Sequence, residues 1–146
     1  MKLFSIKNDV LSYDEVYGFV KDHSCYFVPH FEKQVEDLVL YINKIKSKAS
    51  IYYVEHNQTI IAMMFVYYNT ILSQVYIPYI CVDRKFYGYG IGKSLIEGLK
   101  RKKNFQYIRL EVSKSNTAFN FYMKIGFVIE EDRGDKLLMK YEIVQV

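Results

Sequence analysis

Apolar residues recur along this chain with two different periods, and the switches between them mark its elements. Ser12 and Glu15 form an S-x-x-E capping box, and Val16, Phe19 and Val20 continue it as a short amphipathic helix. Pro29 breaks regular structure in "CYFVPH", after which Val35, Leu38, Val39, Ile42 and Ile45 repeat at helical spacing. The pattern then changes: "SIYYVEHNQTIIAMMFVYYN" predicts two strands around a turn at Asn57-Gln58. "ILSQVYIPYICV" predicts a third strand, interrupted or edge-placed at Pro78, which has no N–H to give a ladder. Ile91, Leu95 and Leu99 mark a helix running to about Lys103, "QYIRLEV" a strand, and "NTAFNFYMKIG" a helix ended by Gly126. "FVIEED" and "KLLMKYEIV" complete the chain as a hairpin around Arg133-Gly134. Two helices, a meander, then strand–helix–strand–helix–strand–strand predict a mixed sheet with helices on its faces, an α/β or α+β layered domain. A ligand site is expected where strands of that sheet splay or change order.

Composition narrows the function classes. The 146 residues suit one domain, 1–146, and no linker, repeat or low-complexity tract divides them. A net charge of +4 is too small and dispersed for a nucleic-acid surface. The one basic cluster, Arg101, Lys102 and Lys103, suits the end of a helix without any partner. Cys25 and Cys81 lie far apart with no paired spacing, so a reduced, cytoplasmic protein is expected. His23, His30 and His56 show no metal-ligand spacing, so no metal is expected. The opening "MKLFSIKNDVLSYDE" has no sustained apolar segment and no later run reaches spanning length, so neither a signal nor a membrane association is expected.

The glycines of "FYGYGIGKS" raise the question of chemistry. A P-loop would need a glycine where Tyr87 stands, although Gly92, Lys93 and Ser94 supply its end. A dinucleotide fingerprint counted from Gly88 would place its third glycine at Lys93, and counted from Gly90 at Leu95. Both fail. What remains is a glycine-rich turn, Gly88-Tyr89-Gly90-Ile91-Gly92, between a strand ending at Val82 and a helix opening near Gly90. Free amides at such a helix start, aided by its dipole, suit a diphosphate, with Arg84, Lys85 and Lys93 adding charge. The alternative is a tight turn that opens the helix and holds no ligand.

The stretch "ICVDRKFYGYGIGKSL" resembles the acetyl-coenzyme A loop of the GNAT superfamily of N-acetyltransferases, commonly [QR]-x-x-G-x-[GA] after an apolar strand. Gly90 and Gly92 fit the paired glycines, and Ile80, Cys81 and Val82 the strand; Tyr87 departs from the usual Gln or Arg. A second stretch, "LEVSKSNTAFNFYMKIGFVI", is similar to that family's N-x-x-A-x-x-[LF]-Y-x-x-x-G-F. Ala118, Phe121, Tyr122, Gly126 and Phe127 keep their mutual spacing, whereas Asn116 stands one residue late, as if one residue were removed early in the helix. Counted forward from Leu110 and Glu111, Asn116 falls where the ribosomal-protein-alanine acetyltransferases carry theirs. The resemblance covers about residues 50–143 and implies the GNAT fold, a mixed sheet of six to seven strands flanked by about four helices. It also implies acetyl-CoA as cosubstrate, bound by Ile80, Cys81, Val82, Tyr87, Gly88, Tyr89, Gly90, Ile91, Gly92, Lys93, Ser94, Asn116, Phe119 and Tyr122.

Acetyl transfer from a thioester needs a neutral amine, a polarised carbonyl and a protonated leaving sulfur. The resemblance makes Tyr122 the acid at sulfur, and backbone N–H groups near Cys81-Val82 the partners of the thioester oxygen. Glu111 is the candidate base; strand alternation puts it with Arg109 on one face and Ile108, Leu110 and Val112 on the other. A same-face ion pair with Arg109, or a water chain ending on a tyrosine of the meander, are the alternatives. Tyr67, Tyr68, Tyr76 and Tyr79, with Phe27, His30 and Phe31, suggest an aromatic acceptor pocket without an acidic cluster. A small-molecule amine, such as an amino sugar or amino acid derivative, is therefore expected, ahead of a protein N-terminus or lysine. A non-catalytic acyl-CoA-binding module is the rival from another class, and a homodimer is compatible with either.

Overall fold

A computed structural model describes residues 4–145, and there the two periods become seven strands and five α-helices. In chain order these are β1 (Ile6–Lys7), α1 (Tyr13–Asp22), α2 (Phe31–Gln34), α3 (Leu38–Lys48), β2 (Ser50–His56) and β3 (Thr59–Asn69). They continue as β4 (Gln74–Val82), α4 (Ile91–Lys100), β5 (Tyr107–Ser113), α5 (Ala118–Lys124), β6 (Val128–Asp132) and β7 (Lys136–Glu142). The capping box closes both ways: Glu15 N–H donates to Ser12 Oγ at 3.1 Å and Ser12 N–H to Glu15 Oε1 at 2.9 Å. Helix α1 buries Val16, Phe19 and Val20, as its spacing predicts.

Helix α3 starts later than the apolar spacing suggests. Asp37 caps it by accepting from Leu40 N–H, so Val35 precedes the helix and Val39 stays 49% exposed while Ile42 and Ile45 are buried. Strand β1, two residues on an edge, and the single-turn helix α2 have no clear periodic signal and were not anticipated. Helix α4 stops at Lys100 rather than Lys103, the chain turning there through Lys102 N–H to Leu99 C=O. Asn57 and Gln58 both take positive φ, 51° and 65°, the geometry that a two-residue hairpin turn needs.

The sheet order is β1-β2-β3-β4-β5-β7-β6, antiparallel except for the central β4–β5 pair. Between β3 and β4 the register slips: Phe65 pairs with Tyr79 and Tyr67 with Tyr76, leaving Ile77 and Pro78 together opposite Val66. This bulge exchanges the faces of β4. Before it, Val75 and Ile77 join the core under α4 and α5; after it, Tyr79 and Cys81 join the core under α1, α2 and α3. The β4–β5 ladder ends at Ile77↔Leu110, where Pro78 follows without an N–H. Pro78 therefore interrupts a central strand rather than marking an edge. Beyond it, Pro78–Val82 and Glu111–Ser113 part company, which opens the sheet at its middle.

Candidate active site

The opening holds a cavity of about 250 Å³. Tyr76, Pro78, Tyr79 and Ile80 of β4 form one side, and Glu111 and Ser113 of β5 the other. Phe27, Phe31 and Tyr41 close it from the α1–α3 layer, and Asn116, Ala118 and Tyr122 from α5 and the turn before it. Lys136, at the start of β7, completes the rim. Ile80, Glu111, Asn116 and Tyr122, four of the residues singled out from sequence, thus share one wall-to-wall space.

Tyr122 is 7% exposed and packs against Phe127 with the rings inclined, centroids 5.8 Å apart. Its placement depends on Gly126, whose φ of +105° turns the chain so that Phe127 N–H reaches Tyr122 C=O at 3.0 Å. A Cβ at Gly126 would also come within 3.1 Å of the Tyr141 ring, so two separate constraints require glycine there. Burial, and then the Cys81 thiol, raise the Tyr122 phenol above its ordinary pKa, so it keeps its proton at neutral pH. Burial likewise pushes the Cys81 thiol up to about 12. Among the described residues the buried Tyr79 hydroxyl beside it has no conventional hydrogen-bond partner.

Asn116 accepts from Ala118 N–H at 2.9 Å, while Phe119 N–H and Asn120 N–H reach back three residues to Asn116 C=O and Thr117 C=O. Helix α5 therefore opens on a tightened turn, which accommodates an asparagine one residue nearer to Ala118 than the motif has it. Phe119 packs, partly buried, against the core under α4 and α5 and does not line the cavity.

Glu111 faces the cavity but does not pair with Arg109. Its Oε2 accepts from Arg133 Nη1 at 3.0 Å, whereas Arg109 makes a two-pronged contact with Glu130 at 2.8 and 3.1 Å. Of the aromatic residues suggested from sequence, Phe27, Phe31, Tyr76 and Tyr79 line the cavity, and Tyr67, Tyr68 and His30 do not. Tyr68 is engaged with Tyr52, hydroxyl to hydroxyl, at 2.6 Å.

The glycine turn leaves β4 beside this cavity. Asp83 caps the turn Arg84–Phe86, accepting from Lys85 N–H at 2.9 Å, and Tyr87, Gly88 and Tyr89 follow, exposed, to Gly90. Gly90 is the N-cap of α4 with φ 76°, and no side chain bonds the helix's first amides. Among the described residues, no atom lies within 4 Å of where a Cβ would stand on Gly88 or Gly90. Gly92 faces Phe121 and Val82 instead, at contact distance. Ile91 is core, Lys93 is exposed, and Ser94 faces a second cavity beside Leu95, Leu99 and Tyr52 on the flank of α4. The Arg84 guanidinium lies over the Tyr26 ring, 4.0 Å from its centroid.

Sequence reading missed Tyr41, Lys136 and the pair His23–Asp83. His23 Nε2 meets Asp83 Oδ2 at 3.0 Å and its Nδ1 meets Phe19 C=O at 2.8 Å, tying α1 to the start of the glycine segment. That hydrogen bond from His23, and then the one from Lys85 N–H, lower the Asp83 pKa. Nothing local announces such partners, 60 residues apart in sequence.

A splayed parallel pair, a buried phenol and a carboxylate in the gap, and uncapped amides after the strand that leaves it make up the candidate site on a layered α/β fold. The match to the acetyltransferase (GNAT) domain family spans residues 11–136, and this chain belongs to that family of acetyltransferases. In structure it is similar to the PaiA N-acetyltransferase of Thermoplasma acidophilum, solved with coenzyme A: TM-score 0.72, 19% identity, 95% of this chain and 98% of that one covered. It is also similar to the ribosomal-protein-S18-alanine N-acetyltransferase of Escherichia coli, with TM-score 0.74, 17% identity, and 99% and 96% covered. A Bacillus anthracis str. Ames structure in complex with acetyl coenzyme A is 30% identical at TM-score 0.57, with 69% of this chain and 66% of that one covered. No curated protein matches. Among the described residues no helix is long and apolar enough to cross a membrane.

Proposed function

We propose that this acetyltransferase moves an acetyl group from acetyl-coenzyme A directly to the primary amine of a small molecule. The observation that carries this reading is that Glu111 and Tyr122 line one cavity at the β4–β5 opening, beside the strand from which the glycine segment departs. Coenzyme A and acetyl-coenzyme A in two of the similar structures support the donor. The open space over Gly88 and Gly90 and the uncapped start of α4 fit a diphosphate against backbone amides of Gly88–Lys93. Lys85 and Lys93 are exposed nearby for further phosphates, and Ile80 and Asn116 line the space beside the reacting end.

Acetyl-coenzyme A supplies the thioester-bound acetyl group. Glu111 takes the proton of the acceptor's ammonium, directly or through water, because only the neutral amine has a lone pair to give. Backbone N–H groups after Pro78, near Cys81 and Val82, on the side of β4 that has left β5, offer hydrogen bonds to the carbonyl oxygen as charge develops. Tyr122 gives its phenolic proton to the departing sulfur. One N–C bond forms and one C–S bond breaks; the ammonium proton leaves through Glu111 to solvent, and the second proton, lost from nitrogen after attack, balances the one that Tyr122 delivers to sulfur.

Phe27 and Phe31 close the cavity from above, which favours a compact acceptor such as an amino sugar or amino acid derivative. A protein N-terminus is the second reading, favoured by the placement of Glu111 in "LEV" and by the likeness to the Escherichia coli enzyme. The free thiols Cys25 and Cys81 accord with a reducing, cytoplasmic setting. Thiol release from acetyl-CoA across amino sugars, amino acids, polyamines and peptides tests the proposal. Release with a small amine is expected; coenzyme binding with no release from any amine would leave only a binding module.

A further inference from the structure

We infer that the acceptor carries a carboxylate as well as its amine, on an apolar body, and that Lys136 is the residue that selects it. The inference rests on the acetyl-transfer reading of this cavity and adds the chemical class of the molecule that fills it.

Two charged residues line the cavity, Glu111 and Lys136. The β5–β7 register pairs Glu111 with Leu138 and Ser113 with Lys136. Opposed residues in an antiparallel pair face the same way, so Lys136 projects from the same face as Glu111 as its diagonal neighbour, Cβ atoms about 7 Å apart. Other cations around this hairpin have carboxylate partners. Lys114 meets Asp132 at 2.8 Å, Arg133 meets Glu111 and Glu131 at 3.0 Å, Arg109 meets Glu130 at 2.8 Å and Lys140 meets Glu130 at 3.5 Å. Among the described residues Lys136 has no carboxylate within 4 Å, and it is the one of these cations that lines the cavity.

Charge balance gives the same answer. Arg133 is shared between Glu111 and Glu131, so these three groups carry one net negative charge, which the unpaired Lys136 balances across the cavity. A polyamine brings several ammonium groups and no anion for Lys136, and is disfavoured. A molecule with one ammonium and one carboxylate places the first on Glu111 and the second on Lys136. The rest of the wall is Phe27, Phe31, Tyr41, Tyr76 and Tyr79, which suits an apolar or aromatic side chain. An amino acid of that kind meets all three demands within about 250 Å³.

The test compares matched pairs, L-phenylalanine with 2-phenylethylamine and L-leucine with 3-methylbutylamine, by kcat/KM in thiol release. An N-terminal alanine peptide and spermidine complete the panel. The carboxylated member of each pair is expected to be favoured by at least about tenfold, the scale of one charge-assisted hydrogen bond. Lys136→Met and Lys136→Gln are expected to erase that ratio, and Lys136→Glu to invert it. Equal ratios in the wild type, a ratio that survives Lys136→Met, or a preference for spermidine or the peptide would overturn the inference while acetyl transfer stood. No thiol release with any of these amines would overturn both.

Discussion

Glu111, on the cavity wall, and Arg133 meet at 3.0 Å, a contact between the central strand β5 and the tip of the β6–β7 hairpin. Arg109, two residues from Glu111 on the same strand, is held instead by Glu130. The carboxylate is thus oriented from the side and is 28% exposed, and its proposed role as base has a direct test. Glu111→Gln is expected to lower kcat/KM about tenfold to a hundredfold near pH 7. The deficit should shrink as pH rises and the free amine loses its proton unaided. A deficit constant from pH 6 to pH 10 would indicate a positioning role instead, measured from pH–rate profiles of both proteins.

Tyr122 keeps its proton because burial, and then the Cys81 thiol, disfavour the phenolate. Tyr122→Phe removes the hydroxyl and little volume, so the coenzyme should bind as before while turnover falls at least about tenfold. Calorimetric titration with coenzyme A and steady-state turnover together check this. Unchanged turnover would remove Tyr122 as the acid.

Gly90 carries the clearest test of the phosphate site. Its φ of 76° is one that asparagine and aspartate tolerate better than other residues, and the space above it is open. Gly90→Asn should therefore bind acetyl-CoA within several-fold of the wild type. Gly90→Asp adds a negative charge beside the diphosphate and should weaken binding at least about a hundredfold, chiefly at low salt. Equal affinities of the two variants would move the phosphates elsewhere.

Asp83 links acid sensitivity to the entrance of the glycine segment. The hydrogen bond from His23, then that from Lys85 N–H, depress its folded pKa below the unfolded value near ~4. A depressed carboxylate contributes stability that is complete above the unfolded value and is lost as pH falls through the lower, folded one. Asp83→Asn should accordingly melt below the wild type at pH 7, and the two melting temperatures should converge as the pH falls below ~4. A gap that persists at pH 2 would assign the effect to packing.

Much of this architecture was legible because its causes are local. The Ser12–Glu15 box, the turn at Asn57-Gln58 and the alternation of Ile108, Leu110 and Val112 each express a steric or hydrogen-bonding need met within a few residues. The start of α3 was misplaced because Val35 and Val39 keep helical spacing by coincidence, while the Asp37 cap decides where the helix begins. Strand β1 had no signal, since two residues cannot display a period and its pairing to β2 is long-range.

The sequence by itself determined the layered fold, the glycine turn before α4, and Glu111 and Tyr122 as the groups to watch. Tertiary structure alone decided that Ile77 and Pro78 bulge, so that β4 changes faces and leaves β5. It alone paired Glu111 with Arg133 rather than Arg109, and set Lys136 on the cavity rim. The reason is register. Periodicity fixes which face of its own strand a side chain takes, but its neighbours across the sheet depend on how distant strands align, and that alignment is settled only when the whole core packs.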